Sequence, residues 1–270
     1  MSITTNHREC LSAWFQYRQL TADELQTFAD QGYLVLGPIL TQHGLQRMRD
    51  ECMTAWKKEK GEFDPNGSWL ENALLINIHQ HSELVRQYYY SGPLVDIATQ
   101  VISPNIKAAT AQLTFKLRGN TQSFAWHQDN SYGELDPYNA ISCLTALDDS
   151  DEDNGCLWLV PASHKQGQAD YVYSIEDQAN RRVVELDVDD SLAVPMPLKA
   201  GYCLFFHCHM LHKSAGNNSK DRDRRILFMR YADADAVEVG NDRKPRLGRL
   251  LRGETRLQEV RDFEADLPLI

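Results

Sequence analysis

The chain has 270 residues, 42% hydrophobic and 24% charged, the balance of an ordinary soluble globule long enough to bury a large core. A formal net charge of −10 argues against a nucleic-acid backbone or an anionic membrane as the main partner. Six scattered cysteines form no C-x-x-C pair and several sit inside apolar runs, so buried free thiols in a reducing compartment are expected.

The opening residues lack a basic segment followed by an apolar one, and no apolar run approaches membrane-spanning length. The expectation is a cytoplasmic protein, monomer or homodimer, with a small-molecule substrate and neither nucleic acid nor membrane as partner. The Asn217-Asn218-Ser219 sequon is then accidental.

In "LTADELQTFADQGYLVL", Thr21 and Glu24 have capping-box spacing, Gly32 suits a helix C-terminus, and "YLVL" reads as a short buried strand. Over 41–60, Leu45, Met48, Cys52 and Trp56 recur on one helical face, with Lys57, Lys58 and Lys60 in the last turn. "SELVRQYYYSG" and "GPLVDIATQVI" predict two more helices, the second with Pro93 at a permitted first-turn position.

From about residue 108 the period changes. "AATAQLTFKL", "FAWHQDN", "AISCLTAL", "GCLWLVPAS", "GYCLFFHCHMLH" and "RRILFMRYA" are β-rich runs separated by turn clusters. Strands of this length without intervening helices suggest an antiparallel barrel or double sheet, as in jelly rolls and cupins. The acidic run at 148–153 lacks calcium-loop spacing and reads as a solvated hairpin tip. The Arg-rich tail, "GRLLRGETRLQEVRDF", predicts a solvated amphipathic helix.

His127 and Asp129 are two residues apart, so on a strand both side chains leave one face while Gln128 turns away. One short strand can thus supply two ligands to a metal, and two histidines with one carboxylate suit non-haem Fe(II). A third ligand must come from elsewhere; His207, His209 and His212 are the candidates. His212 is followed by a polar turn and an Arg-bearing strand, which is what an anionic cosubstrate spanning metal and guanidinium requires.

These segments together resemble the phytanoyl-CoA dioxygenase family of Fe(II)/2-oxoglutarate-dependent oxygenases over most of the chain. "FAWHQDN" resembles the family's W-H-x-D element, "LTALDDSDEDNGCLWLVPASHKQG" its A-L-D-D…N-G-x-L…P-x-S-H stretch, and "LHKSAGNNSKDRDRRILFMRYA" its distal His-x-S…N-x-S…R segment. The opening "LTADELQTFADQGYLVLGPILTQHGLQRMRDE" resembles its N-terminal helix, strand and helix. The resemblance implies a mainly β, α+β fold: a double-stranded β-helix (jelly-roll, cupin-like) core with N-terminal helices on one sheet. It implies one domain over 1–270, with a helical elaboration at 15–105, the core at 106–235, and a C-terminal extension at 236–270 expected to be helical.

Residue by residue, it implies His127, Asp129 and His212 as the catalytic iron ligands, and Arg224 as the anchor for the distal carboxylate of 2-oxoglutarate, assisted by Ser214 and Lys116. Arg225 is the rival to Arg224, and strand alternation lets only one of the two face the site. Trp126, Gln128, Asn130 and Tyr132 are the substrate-facing candidates. Leu144 and Tyr202 depart from the family pattern, and His164 reads as structural. The implied reaction consumes dioxygen and 2-oxoglutarate, releases succinate and CO2, and hydroxylates or otherwise oxidises a C–H bond of a small polar metabolite or natural-product intermediate. Asp129 argues for oxygenation over halogenation. The rim segments 61–80, 130–139 and 166–182 carry Glu134, Asp136, Glu176 and Asp177, which favour a cationic or polyhydroxylated molecule. A silent binding or regulatory member, a hydrolase or isomerase using the same three ligands, and a sugar-binding jelly roll are the other readings.

Overall fold

In the computed structural model, residues 11–62, 73–120, 122–132, 134–170, 172–175 and 182–267 are described. Helix α1 (Ala22–Gln31) has Thr21 as N-cap and a complete capping box with Glu24, and it ends at Gly32, which adopts the left-handed conformation. Strand β1 (Tyr33–Leu36) follows, then helix α2 (Gln42–Lys60), which buries Leu45, Met48, Cys52 and Trp56 as the stripe requires. Strand β2 (Leu74–Ile76) and the short helix α3 (Ile78–His81) occupy part of the stretch expected to be a rim loop; Ile78 is fully buried there. Residues 63–72 lie outside the described residues. Helices α4 (Glu83–Ser91) and α5 (Pro93–Val101) complete the helical layer, capped by Ser82 and opened by Pro93 respectively.

The strands then run β3 (Ile106–Lys116), β4 (Phe124–His127), β5 (Leu135–Asp136), β6 (Ile141–Ala146), β7 (Leu157–Leu159), β8 (Val172–Ile175), β9 (Arg182–Glu185), β10 (Val194–Met196), β11 (Cys203–His207), β12 (His212–Ser214), β13 (Arg224–Asp233), β14 (Val237–Glu238), β15 (Lys244–Pro245) and β16 (Leu250–Arg252). One antiparallel sheet has the order β1-β11-β6-β13-β3-β16, with β2 also paired to β3. A second, of four strands, has the order β10-β7-β12-β4; β15-β14-β5 and β8-β9 form small additions.

Strand alternation divides the larger sheet between two cores. Cys203 and Phe205 of β11, Cys143 of β6, and Leu227 and Met229 of β13 join the helices in one apolar cluster. Leu204, Phe206, Leu144, Ala146 and Ile226 point the other way, against Leu157, Leu159 and Met196 of the smaller sheet. The second cluster is therefore the filling between the two sheets, and the candidate site is set into it.

Two expectations change. The tail is a series of short strands followed by a five-residue helix, α6 (Gln258–Asp262), in place of one amphipathic helix. Its arginines are tied down instead of solvated: Arg246 pairs with Glu238 at 2.6 Å and Arg252 with Asp96 at 3.1 Å, while Arg249 donates to the Glu264 carbonyl. The acidic run is likewise partly structural. Asp148 grips Arg225, Asp151 pairs with Arg222 at 2.6 Å, and the buried Asn154 side chain donates to the Asp149 carbonyl. All five described cysteines are free and buried. Among the described residues, no helix is long and apolar enough to cross a membrane.

Candidate metal centre and its flanking cations

His127 closes β4 and His212 opens β12, and the two are direct partners across this antiparallel pair. Their ring centroids lie 4.1 Å apart. Each Nδ1 meets a main-chain carbonyl, that of Ala125 at 2.7 Å and of Met210 at 2.9 Å. A carbonyl can only accept, so Nδ1 carries a proton in both rings, and Nε2 is the atom each ring turns toward the cluster. The edge of Phe206, 4.9 Å from His212 between ring centroids, packs that imidazole in place.

Asp129 reaches the same point by another route than strand alternation. Strand β4 stops at His127, and Asp129 begins a 3-10 turn, Asp129–Tyr132. That turn folds the carboxylate back, with Oδ1 3.9 Å from His127 Nε2 and 3.6 Å from His212 Nε2. All three ligand atoms lie within 4.8 Å of one another, and all three side chains are buried. Ser142, on the inward face of β6, donates to Oδ2 and leaves Oδ1 turned to the histidines.

Burial pushes His127 down to about 4, helped by His212 and opposed by Asp129, so it is held in the neutral form that ligates. Burial alone would raise the Asp129 carboxyl, but His212, with smaller contributions from Arg230 and His127, keeps it below the usual carboxylate range. Three ligand atoms that converge in a dry site, one of them a carboxylate oxygen, are an arrangement that a cation among them would satisfy. The donor set therefore fits a metal ion, and its two imidazoles and one carboxylate are the ligands non-haem Fe(II) favours.

On one side of this centre stand two buried basic side chains. Arg224 and Lys116 are direct partners across β13 and β3. Arg224 donates to the Gly155 carbonyl, while its Nε is buried without a hydrogen-bond partner. Gly155 has a φ of +81° and lets the backbone at Ala215 pass close by, since a Cβ would sit 2.5 Å from the Ala215 carbonyl oxygen. Lys116 Nζ donates to the Ser214 hydroxyl at 2.9 Å and to the Ser214 and Ala215 carbonyls. Burial, then the charge of Arg224, lowers Lys116 to about 6, and burial lowers Arg224 to about 10. Among the described residues neither side chain has a carboxylate partner. Arg225 points the other way and forms a two-pronged pair with Asp148, through Nε at 2.7 Å and Nη2 at 2.6 Å.

The substrate-facing candidates fare differently. The Gln128 amide is spent within the chain: it donates to the Gly167 and His209 carbonyls and accepts from Ala169 N, so it ties the loop beyond Ser163–Gln166 to the segment at His209. Trp126 donates to Asp190 at 2.7 Å and carries Lys213 4.9 Å above its ring. Asn130 is fully buried between Arg230 and His209. The Tyr132 side chain lies outside the described residues, as do Glu176 and Asp177. Asp136 is paired with Arg243, which removes one of the acids expected to draw a cation. His164 meets the Ala29 carbonyl at 3.2 Å, joining its turn to α1. The Asn217 side chain is buried and donates to the Lys116 and Arg222 carbonyls. Ser142 and Arg230 had not been singled out from the sequence.

Two antiparallel sheets thus bring together a His/Asp/His cluster that could hold a metal ion, beside two buried basic side chains that have no carboxylate partner among the described residues. A family model described as phytanoyl-CoA dioxygenase (PhyH) matches residues 28–226. The chain belongs to that family. Phytanoyl-CoA dioxygenase domain-containing protein 1 of Danio rerio is 25% identical over 269 residues, covering 80% of this chain and 91% of that protein. The non-heme monooxygenase ThoJ in its apo form superposes with a TM-score of 0.69 at 22% identity, covering 86% of this chain and 84% of its own. The epimerase SnoN, solved with Fe3+, alpha ketoglutarate and nogalamycin RO, gives a TM-score of 0.64 at 19% identity, covering 82% and 85%.

Proposed function

We propose that this chain is an Fe(II)- and 2-oxoglutarate-dependent oxygenase that oxidises a C–H bond of a small polar molecule, with the two facing sheets as the halves of a double-stranded β-helix in one domain. The observation that carries this reading is the pairing of three converging metal-ligand atoms with a buried Arg224–Lys116 pair that has no carboxylate partner among the described residues. A hydrolase or isomerase using the same ligands leaves that pair without a purpose.

His127, Asp129 and His212 would hold the iron through Nε2, Oδ1 and Nε2, the two-imidazole, one-carboxylate donor set that non-haem Fe(II) favours. When bound, iron and 2-oxoglutarate supply the oxidising power, with succinate and CO2 as by-products. The chain's own residues bind, orient and exclude water. Arg224 offers its unpartnered Nε–H to the distal carboxylate, with Lys116 and the Ser214 hydroxyl beside it. The apolar filling of Leu144, Phe206 and Ile226 keeps water from the centre and strengthens each of these electrostatic contacts. Ser142 holds the Asp129 carboxylate in its ligating orientation.

The test is succinate release by the Fe(II)-reconstituted protein in air with 2-oxoglutarate, alone and across a panel of small polar metabolites. Iron-dependent succinate that disappears in Asp129→Ala is expected; no succinate from fully loaded protein under any of these conditions would sink the reading.

A further inference from the structure

Along β13, Arg224, Ile226, Phe228 and Arg230 share the face turned between the sheets. Ile226 and Phe228 belong to the inter-sheet core, and Arg230 reaches Asp129 and Asn130. Six residues of strand separate the backbones of the two arginines by roughly 20 Å. Arg230 is the direct sheet partner of Ser142, whose hydroxyl holds Asp129. The metal cluster is thus flanked by Arg224 at one end and by Arg230 at the other.

Arg230 is only 7% exposed and its Nε has no hydrogen-bond partner. Its remaining contacts are long: 3.5 Å to the Asp129 carbonyl and 3.3 Å to Asn130 Oδ1. Its charge acts on the Asp129 carboxyl, but among the described residues no carboxylate lies within ion-pair distance of it. Arg225, on the same strand, shows what an arginine with a structural task looks like, with contacts of 2.6 and 2.7 Å to one carboxylate. A buried guanidinium left this short of acceptors needs an anion, and its planar fork suits an oxyanion in two-pronged fashion.

The surroundings are arranged to present it. Arg230 can only donate, so Asn130 must turn Oδ1 to it and direct Nδ2–H at His209 Nε2, 3.2 Å away. The Tyr138 ring lies 4.9 Å from that of His209, and Tyr138 is 51% exposed, so the cluster runs from the metal ligands to the surface.

We infer that Arg230, presented by Asn130 and His209, is the anchor for an oxyanion, a carboxylate or a phosphonate, on the molecule that is oxidised. This rests on the oxygenase reading above. It assigns the substrate class as a small acid, the opposite of the cationic molecule that the rim acids suggest. Anchoring the acid there places its carbon skeleton toward the metal from the side away from the cosubstrate.

The experiment uses protein saturated anaerobically with Fe(II) and 2-oxoglutarate. Benzoate, phenylphosphonate and the uncharged benzamide and benzyl alcohol are then titrated in, with melting temperature and the visible spectrum as readouts. One or both anions are expected to bind wild type at least tenfold more tightly than Arg230→Gln, with Arg230→Lys between the two and the uncharged probes indifferent to the change. The tighter anion distinguishes carboxylate from phosphonate. Arg230→Gln is expected to bind 2-oxoglutarate within twofold of wild type. Equal binding of both anions by wild type and both variants overturns the inference, as does a loss of 2-oxoglutarate binding in Arg230→Gln as large as in Arg224→Gln. If wild type shows no 2-oxoglutarate-dependent spectrum, the oxygenase reading fails, while the anion comparison on melting temperature still decides the role of Arg230.

Discussion

The two faces of β13 treat the same residue type in opposite ways. On the face toward the helices, Arg225 is locked to Asp148, and Leu227 and Met229 sink into the large apolar core. On the face between the sheets, Arg224 and Arg230 each keep a buried Nε without an acceptor. The first face is finished by the chain itself; on the proposed reading, the second is finished by what binds there. Buried donors left unpaired are costly, and these two lie on the side that also holds the three facing metal-ligand atoms.

The comparison breaks first at the metal. Asp129→Ala removes the only carboxylate among the three converging atoms, and iron affinity should fall by more than the roughly 100-fold that bounds the loss of an outer partner. Metal content after equilibration with Fe(II) reads this, and near-normal iron retention would contradict it. Next come the two arginines. Arg224→Gln should raise the 2-oxoglutarate Kd by about 10–100-fold, the loss of a charge-assisted contact, while Arg225→Gln should leave it within about twofold. Anaerobic calorimetry distinguishes them, and an equal effect from both would erase the contrast between the faces. Ser142→Ala should weaken iron binding by about tenfold, because Asp129 then loses the contact that orients it.

Lys116 sharpens the account through pH. In the site without its anion it is lowered to about 6, chiefly by burial. A carboxylate beside it favours the charged form, so the complex holds a proton that the empty site has released. Affinity for 2-oxoglutarate should therefore fall as pH rises above about 6, by up to about tenfold per unit, until the raised value in the complex is reached. Lys116→Met should flatten the profile. The smallest effect belongs to the finished face: Arg225→Gln should cost about 1–2 kcal/mol, seen as a melting temperature a few degrees lower.

Much of this arrangement was legible in the sequence. The helices announce themselves through Thr21 with Glu24 and through the Leu45–Trp56 stripe, and the strands through their β-rich runs and turn clusters. His127, Asp129 and His212 stood out as a ligand set, but the reason they meet was misread. A continuous strand was expected to align His127 with Asp129, whereas the strand ends at His127 and a 3-10 turn brings the carboxylate back. Whether a strand continues for two more residues depends on a hydrogen-bonded neighbour, which local pattern does not reveal. Arg230 was within reach, since period-two counting from Arg224 lands on it; its lack of a partner is visible only once every neighbouring side chain is placed. Gln128 shows the reverse. Beside two metal ligands it looks functional, yet its amide is spent on Gly167, Ala169 and His209, contacts about 40 and 81 positions along the chain. The tail arginines look solvated because their partners Asp96 and Glu264 belong to distant or irregular segments.

The most direct test of the central claim is the visible absorption of anaerobic protein on addition of Fe(II) and then 2-oxoglutarate, in wild type, Arg224→Gln and Arg225→Gln. A weak charge-transfer band should develop in wild type and Arg225→Gln at the same 2-oxoglutarate concentration and be absent from Arg224→Gln. Wild-type protein that retains iron yet shows no band, or an Arg224→Gln variant that shows it undiminished, would contradict the account.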